Sequence, residues 1–99
     1  MTPRFVVAPE VEADIAEAAS WYELRSAGLG LDFVRAAEVC LGAIRVAPER
    51  FPRVRGDARR ALLRRYPYAM FYRARDDAIQ VVACMHTRRD PRRWQARLR

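Results

Sequence analysis

Apolar residues along this chain keep two different periods, and the change from one to the other places the elements. Arg4-Phe5-Val6-Val7 is aromatic and β-branched and stops at Ala8-Pro9, which predicts a first strand over 4–7. From Pro9 the period is helical: Val11, Ile15, Ala18 or Ala19, and Tyr22 recur three or four apart. Pro9 suits a first helical position, and Glu10, Glu12 and Asp14 suit the electropositive start of a helix. This helix runs out near Ser26-Ala27-Gly28. Past Gly28 and Gly30, a second helical run takes Phe33, Ala36 or Ala37, Cys40, Leu41 and Ile44, and closes at Ala47-Pro48. So short a link makes the two helices an antiparallel αα-hairpin.

Residues 48–58 are basic and broken by Pro48, Pro52 and Gly56, and read as a loop. Beyond them the pattern becomes that of strands. A meander is expected, with strands at 59–65, 68–73 and 78–86 and turns at Tyr66-Pro67 and Arg75-Asp76-Asp77. Strict alternation would place Ile79, Val81, Ala83 and Met85, with Ala61 and Leu63, against the helices. Gln80, Val82, Cys84 and His86, with Arg60, Leu62 and Arg64, would then share the open face. Tyr68, Ala69, Met70 and Phe71 are apolar on both sides, as in a central strand. Asp90-Pro91 opens a short terminal helix that Trp94 and Leu98 would pin to the body. The expected fold is α+β, one domain over residues 1–99, in the order β-α-α-β-β-β. It is an antiparallel sheet with the hairpin on one face and Arg60, Arg64 and His86 on the other.

Charge divides the chain more sharply than hydropathy does. Residues 1–49 hold four Arg against eight acids, a net of −4, whereas residues 50–99 hold fifteen Arg against four acids, a net of +11. All 19 cations are Arg. A coding bias explains the choice of Arg over Lys but not its concentration in one half. Such polarity points to an anionic partner, either a nucleic acid or an acidic protein. No apolar run approaches the roughly 20 residues of a membrane span, and the N-terminal apolar patch is too short for a signal sequence. The expected location is therefore cytoplasmic, without a membrane partner. Cys40 and Cys84 lie apart in apolar segments and His86 is the single His, so the thiols read as reduced and buried, and no metal or cofactor is expected.

The segment Arg59-Arg60-Ala61-Leu62-Leu63-Arg64-Arg65-Tyr66-Pro67-Tyr68-Ala69-Met70-Phe71-Tyr72-Arg73 resembles the middle strands of the RelE/ParE superfamily of bacterial toxins. The last strand does too, with His86, Arg88-Arg89 and a late Trp94. Trp21-Tyr22-Glu23, Gly28-Leu29-Gly30, Phe33 and Pro48-Glu49-Arg50-Phe51-Pro52 resemble the hairpin and loop of that group. The similarity spans the chain and lies nearer ParE. It implies the toxin half of a type II toxin–antitoxin module, of the kind called plasmid stabilisation proteins, held inactive by a cognate antitoxin. ParE-like members poison DNA gyrase; RelE-like members cleave mRNA in the ribosomal A site. The fold alone does not choose between them. An uncovered antitoxin groove would also allow a homodimer when the toxin is free.

Cleavage of RNA through its 2′-hydroxyl needs a base, an acid and cations on the phosphate. The resemblance puts Arg64 on the phosphate-binding Arg of RelE-like nucleases, Arg88 or Arg89 on the Arg after the last strand, and Trp94 near a C-terminal aromatic that is usually Tyr. Arg is a poor base, and Trp94 can stack but exchanges no proton. His86 is the one acid–base candidate for an endoribonuclease, with Glu49 and Asp57 as outside chances. Arg60, Arg64, Arg88, Arg89, Arg92 and Arg93 are the candidate target- or phosphate-binding set, to be weighed against an ordinary solvated surface. Tyr68, Tyr72 and Trp94 offer stacking surfaces or core packing. The missing acid–base set favours a non-catalytic gyrase inhibitor. The alternative is a ribosome-dependent mRNA endonuclease, and a third reading is a co-repressor without toxicity.

Overall fold

The computed structural model describes residues 2–98; Met1, and Arg99 of the basic tail, lie outside them. Strand β1 (Arg4–Val7) leads through Ala8 into helix α1 (Pro9–Glu23), with Pro9 in its first turn and Glu10 and Glu12 at its positive end. Helix α2 (Leu29–Val46) returns antiparallel. The link between them is tied by the Glu23 carboxylate, which accepts from the backbone N–H of Gly28 at 3.1 Å and of Gly30 at 2.9 Å. Those two bonds hold the Glu23 carboxyl below its usual range. Gly28 sits at φ +93°, and a Cβ on Gly30 would lie 2.8 Å from the Ala19 carbonyl oxygen. Both positions therefore need glycine, the first for its backbone angle and the second for the close approach of the two helices.

Five strands form one sheet in the order β1-β5-β4-β3-β2. β3 (Ala58–Leu62), β4 (Tyr68–Arg75) and β5 (Ala78–His86) are the expected meander. Two features differ from expectation. The sheet is mixed, because β1 runs parallel to β5. Within the supposed loop, after a 3₁₀ turn at Pro48–Arg50, a strand β2 (Arg53–Arg55) pairs with β3 at the far edge. A strand of three exposed residues between Pro52 and Gly56 leaves no alternation to detect.

The hairpin covers one face of the sheet. Val11, Phe33 and Ile44 meet Met70, Tyr72 and Val81 there, all essentially inaccessible. The Tyr22 and Phe33 rings stack at 5.4 Å, and Tyr66 and Tyr68 close edge-on around them at 4.9–6.1 Å. The Tyr72 hydroxyl donates to the Pro48 carbonyl, and Arg59 to those of Glu49 and Phe51, so the 3₁₀ turn is fastened to the sheet.

The other face is not open. A short helix α3 (Arg92–Gln95) and a 3₁₀ turn at Ala96–Leu98 lie across it. Trp94 stacks on Phe71 with centroids 4.3 Å apart and planes at 11°, over Ala69, Val82, Ala83 and Met85, with Leu98 alongside. Trp94 and Leu98 do pin the segment, as their spacing suggested. Arg73, buried beneath it, donates to Gln80 and to the Leu98 carbonyl.

One extra residue in β5 reverses the faces. Phe71 pairs with Ala83 but its neighbour Tyr72 pairs with Val81, leaving Val82 as a bulge. Ile79 and Val81 face the hairpin as predicted. Past the bulge the phase flips, so Ala83 and Met85 turn to Trp94 and Cys84 turns to the hairpin.

Candidate functional site

Two grooves flank the hairpin. The larger, of about 640 Å³, lies between α1 and the end of β5, and Asp14, Trp21, Tyr68, His86, Arg88 and Arg89 are on its walls. His86 reaches it because of the bulge at Val82. The prediction that His86 sits on the face away from the helices is thereby corrected: it faces Tyr68 across the strand pair, ring centroids 5.3 Å apart. Its Nδ1 accepts the Arg88 backbone N–H at 3.0 Å, a local strand-end contact. Thr87 donates to the Pro67 carbonyl, which fixes the β5 end against the β3–β4 turn.

The second groove, of about 540 Å³, runs between α2 and the edge of β3. β2 pairs only with Arg59 and Ala58, so the edge beyond Arg60 is left open. Ala36, Val39, Cys40, Ala43, Phe51 and Leu62 make an apolar floor, and Arg35, Arg50 and Arg64 stand around it. Among the described residues none of these three forms an ion pair. At one end Asp32 accepts from the Tyr66 hydroxyl and pairs with Arg65 at 3.1 Å. That hydroxyl, then Arg65, holds the Asp32 carboxyl below its usual range, while Asp32 raises Tyr66 in turn. Arg64 thus belongs to this groove and not to the far face, whereas Leu62, paired with Ala69 of the Trp94 cluster, keeps the far-face phase that alternation predicts and borders the groove from the strand edge. The strand ends at Leu62, and a positive φ of 68° at Arg65 turns the backbone away from the regular alternation.

The predicted cationic set is therefore dispersed. His86, Arg88 and Arg89 share the α1 groove, and Arg64 lines the α2 groove. Arg60 stays on the Phe71 side, its Nε buried without a hydrogen-bond partner among the described residues. Arg93 is exposed, Arg92 chelates Asp90 at 2.7 Å, and Trp94 is committed to the core. Among the described residues, four of the fourteen C-terminal-half Arg meet the chain's own carboxylates: Arg65, Arg75 with Asp57, Arg92 and Arg97. The single cationic platform on an open sheet face is not what forms. Among the described residues, guanidinium groups without a carboxylate partner instead fall at separate places, Arg53 and Arg55 on the edge strand β2 and Arg88 and Arg89 beyond the end of β5.

The pair that sequence reasoning missed is Asp14 with Arg97. Arg97 reaches around the edge of β5, where β1 has ended, and grips Asp14 of α1 at 2.6 and 3.1 Å. The same carboxylate accepts the Cys84 backbone N–H at 3.0 Å, and Arg97 also donates to the Val82 carbonyl. Asp14 looked like one more helix-start acid, and Arg97 like one more tail cation. Only their meeting across 83 residues gives them a task. The thiols behave as expected: burial pushes Cys40 up to about 11 and Cys84 up to about 12, so neither is a nucleophile.

The sequence signature described as "ParE toxin of type II toxin-antitoxin system, parDE" matches residues 5–91. A solved structure of the chromosomal ParDE toxin–antitoxin system from P. aeruginosa superposes with a TM-score of 0.77, over 86% of this chain and 96% of that one. Its 17% sequence identity makes that a likeness of fold. No curated protein sequence matches the chain. Among the described residues no helix is long and apolar enough to cross a membrane.

Proposed function

The chain belongs to the ParE toxin family of type II toxin–antitoxin systems, and from that premise we propose that it inhibits DNA gyrase by binding, without cleaving a substrate, and is neutralised by a cognate antitoxin in the cytoplasm. The observation that carries this reading is the dispersal of the ribonuclease candidates. An in-line cleavage site needs its base and phosphate cations within hydrogen-bond reach of one phosphate. Here Arg64 and His86 line different grooves, and Trp94 is shut in the core. The α2 groove suits the antitoxin: an apolar floor beside an unpaired strand edge, with three free guanidinium groups to meet acidic side chains.

One observation supports the rival mRNA endonuclease: His86, Tyr68, Arg88 and Arg89 do share a groove. Purified gyrase and programmed ribosomes separate the two. The gyrase reading expects plasmid supercoiling to stop while ribosome-bound mRNA stays whole, with His86→Ala as potent as the parent chain. Normal supercoiling together with cut mRNA, and loss of cutting in His86→Ala, overturns it.

A further inference from the structure

Helix α2 carries an outer face that the fold of a single chain does not explain. At 3.6 residues per turn, Leu31, Arg35 and Val46 lie within about 40° of Gly42 around the helix axis, and Val39 lies just beyond them. Leu31 is 56% exposed, Val39 63% and Val46 86%. Three large aliphatic side chains on one solvent-facing stripe are unusual in a helix whose other side already supplies the core.

Gly42 is the second, independent observation. Glycine in a helix interior is destabilising relative to alanine. Gly30 is forced by its neighbour, but a Cβ on Gly42 would meet nothing within 4 Å. Nothing in this chain requires glycine there. A bare backbone patch in the middle of an exposed apolar stripe allows the close approach of a backbone from outside.

The charges beside the stripe identify that outside backbone. Glu38 and Arg45 lie on one flank, seven residues apart, and both are exposed. Arg45 has no carboxylate partner among the described residues and rests its guanidinium 5.2 Å from the Phe5 ring; Glu38 is likewise unpaired. In two antiparallel helices related by a two-fold axis, matching flanks meet. With the axis at Gly42, Glu38 falls opposite Arg45 of the other helix and Arg45 opposite its Glu38. Val39 falls opposite Val46 on the other flank, within one residue of the same register. Every pairing is complementary, and each occurs twice. Parallel packing would instead set the Glu38 and Arg45 flank against the Val39 and Val46 flank of the other helix, and neither charge would find a partner.

We propose that α2 is a self-association surface, on which a second copy of this chain packs its own α2 antiparallel, crossing at Gly42. The contact is one helix pair and so lies at the small end of specific interfaces, which makes the dimer weak and dependent on concentration. Val39 and Arg35 also belong to the α2 groove. Self-association and occupation of that groove therefore compete, while Glu38, Gly42 and Arg45 lie outside both grooves and leave gyrase inhibition testable by itself.

Sedimentation velocity of the full chain across a concentration series provides the test. The parent chain should pass from monomer to dimer. Glu38→Arg and Arg45→Glu should each weaken the dimer on the order of tenfold, since each replaces two attractive contacts by two repulsive ones. The double exchange should restore it. Gly42→Leu should abolish the dimer while the melting temperature of the chain stays level or rises, which separates a blocked surface from a failed fold. A chain that stays monomeric up to roughly 1 mM, or single exchanges that the double does not rescue, overturns the proposal. Monomeric chain whose affinity for an antitoxin falls in Gly42→Leu also overturns it, and assigns the stripe to the antitoxin instead.

Discussion

Replacing Asp14 by Ala tests the clamp that joins the two halves of the chain. Three bonds converge on this carboxylate: two from Arg97 and one from the Cys84 backbone N–H. The Asp14 side chain is 15% exposed and that of Arg97 27%, so water replaces little of what is lost. Breaking a buried pair by removing one partner costs about 3–5 kcal/mol, and an orphaned buried N–H about 1–3 kcal/mol. The two overlap, and the partial exposure of Arg97 lowers the sum, so about 3 kcal/mol is expected for Asp14→Ala. Arg97→Ala leaves Asp14 still bonded to Cys84 and should cost only about 1–2 kcal/mol. The double variant should cost little more than Asp14→Ala alone, because the two residues act through one contact. Asp14→Asn, which keeps an acceptor for Cys84, should fall between the singles. For a chain of this size about 1 kcal/mol corresponds to roughly 4–8 °C in the melting midpoint, so Asp14→Ala should melt about 12–24 °C lower. Urea titration followed by circular dichroism gives the free energies. A cost below about 0.5 kcal/mol for Asp14→Ala, the range of ordinary surface changes, refutes the reasoning, as does an Arg97→Ala variant less stable than Asp14→Ala.

Trp94→Ala should destabilise by about 3–5 kcal/mol and increase urea sensitivity of the Phe71 side, read as lost protection of the Val82–Met85 amides in hydrogen exchange. Gly30→Ala and Gly42→Ala should have opposite signs. The first drives a Cβ against the Ala19 carbonyl at a cost of about 1–3 kcal/mol; the second gains up to about 1 kcal/mol of helix stability, both measured by urea titration of dilute chain. Asp32 is held below its ordinary value of 3.8 by Tyr66 and Arg65. Its contribution is thus complete above that pH and is lost as the pH falls through the lower folded-state value. The acid limb of the melting profile should accordingly be shallower in Asp32→Asn, and an unchanged limb would refute the assignment.

What the sequence disclosed depended on how much phase each segment carried. The helical hairpin was legible because Val11, Ile15 and Tyr22, then Phe33, Cys40 and Ile44, keep one period against polar neighbours. Trp94 and Leu98 were legible as anchors for the same reason. The faces of β5 were not, because Val81-Val82-Ala83-Cys84-Met85 is apolar throughout and buried on both sides. A run without polar positions cannot report a one-residue bulge, and that bulge moved His86 from one side of the sheet to the other. The partner of β1 was illegible in principle, since Arg4–Val7 has no feature that distinguishes one parallel neighbour from another. The candidate site suffered most: Arg60, Arg64 and His86 shared a face only under unbroken alternation.

The clamp also sets a timetable for synthesis. Asp14 waits 83 residues for Arg97, which at about 5–20 residues per second is roughly 4–17 s on the ribosome. β1 waits almost as long for residues 78–81 of β5. Until then the hairpin exists without the sheet that fixes its aromatic cluster, and no nascent chain presents the finished surface. A chain built this way completes its surface only when the last strand and its lock have been made, so its assembly is tied to the end of synthesis and not to its beginning.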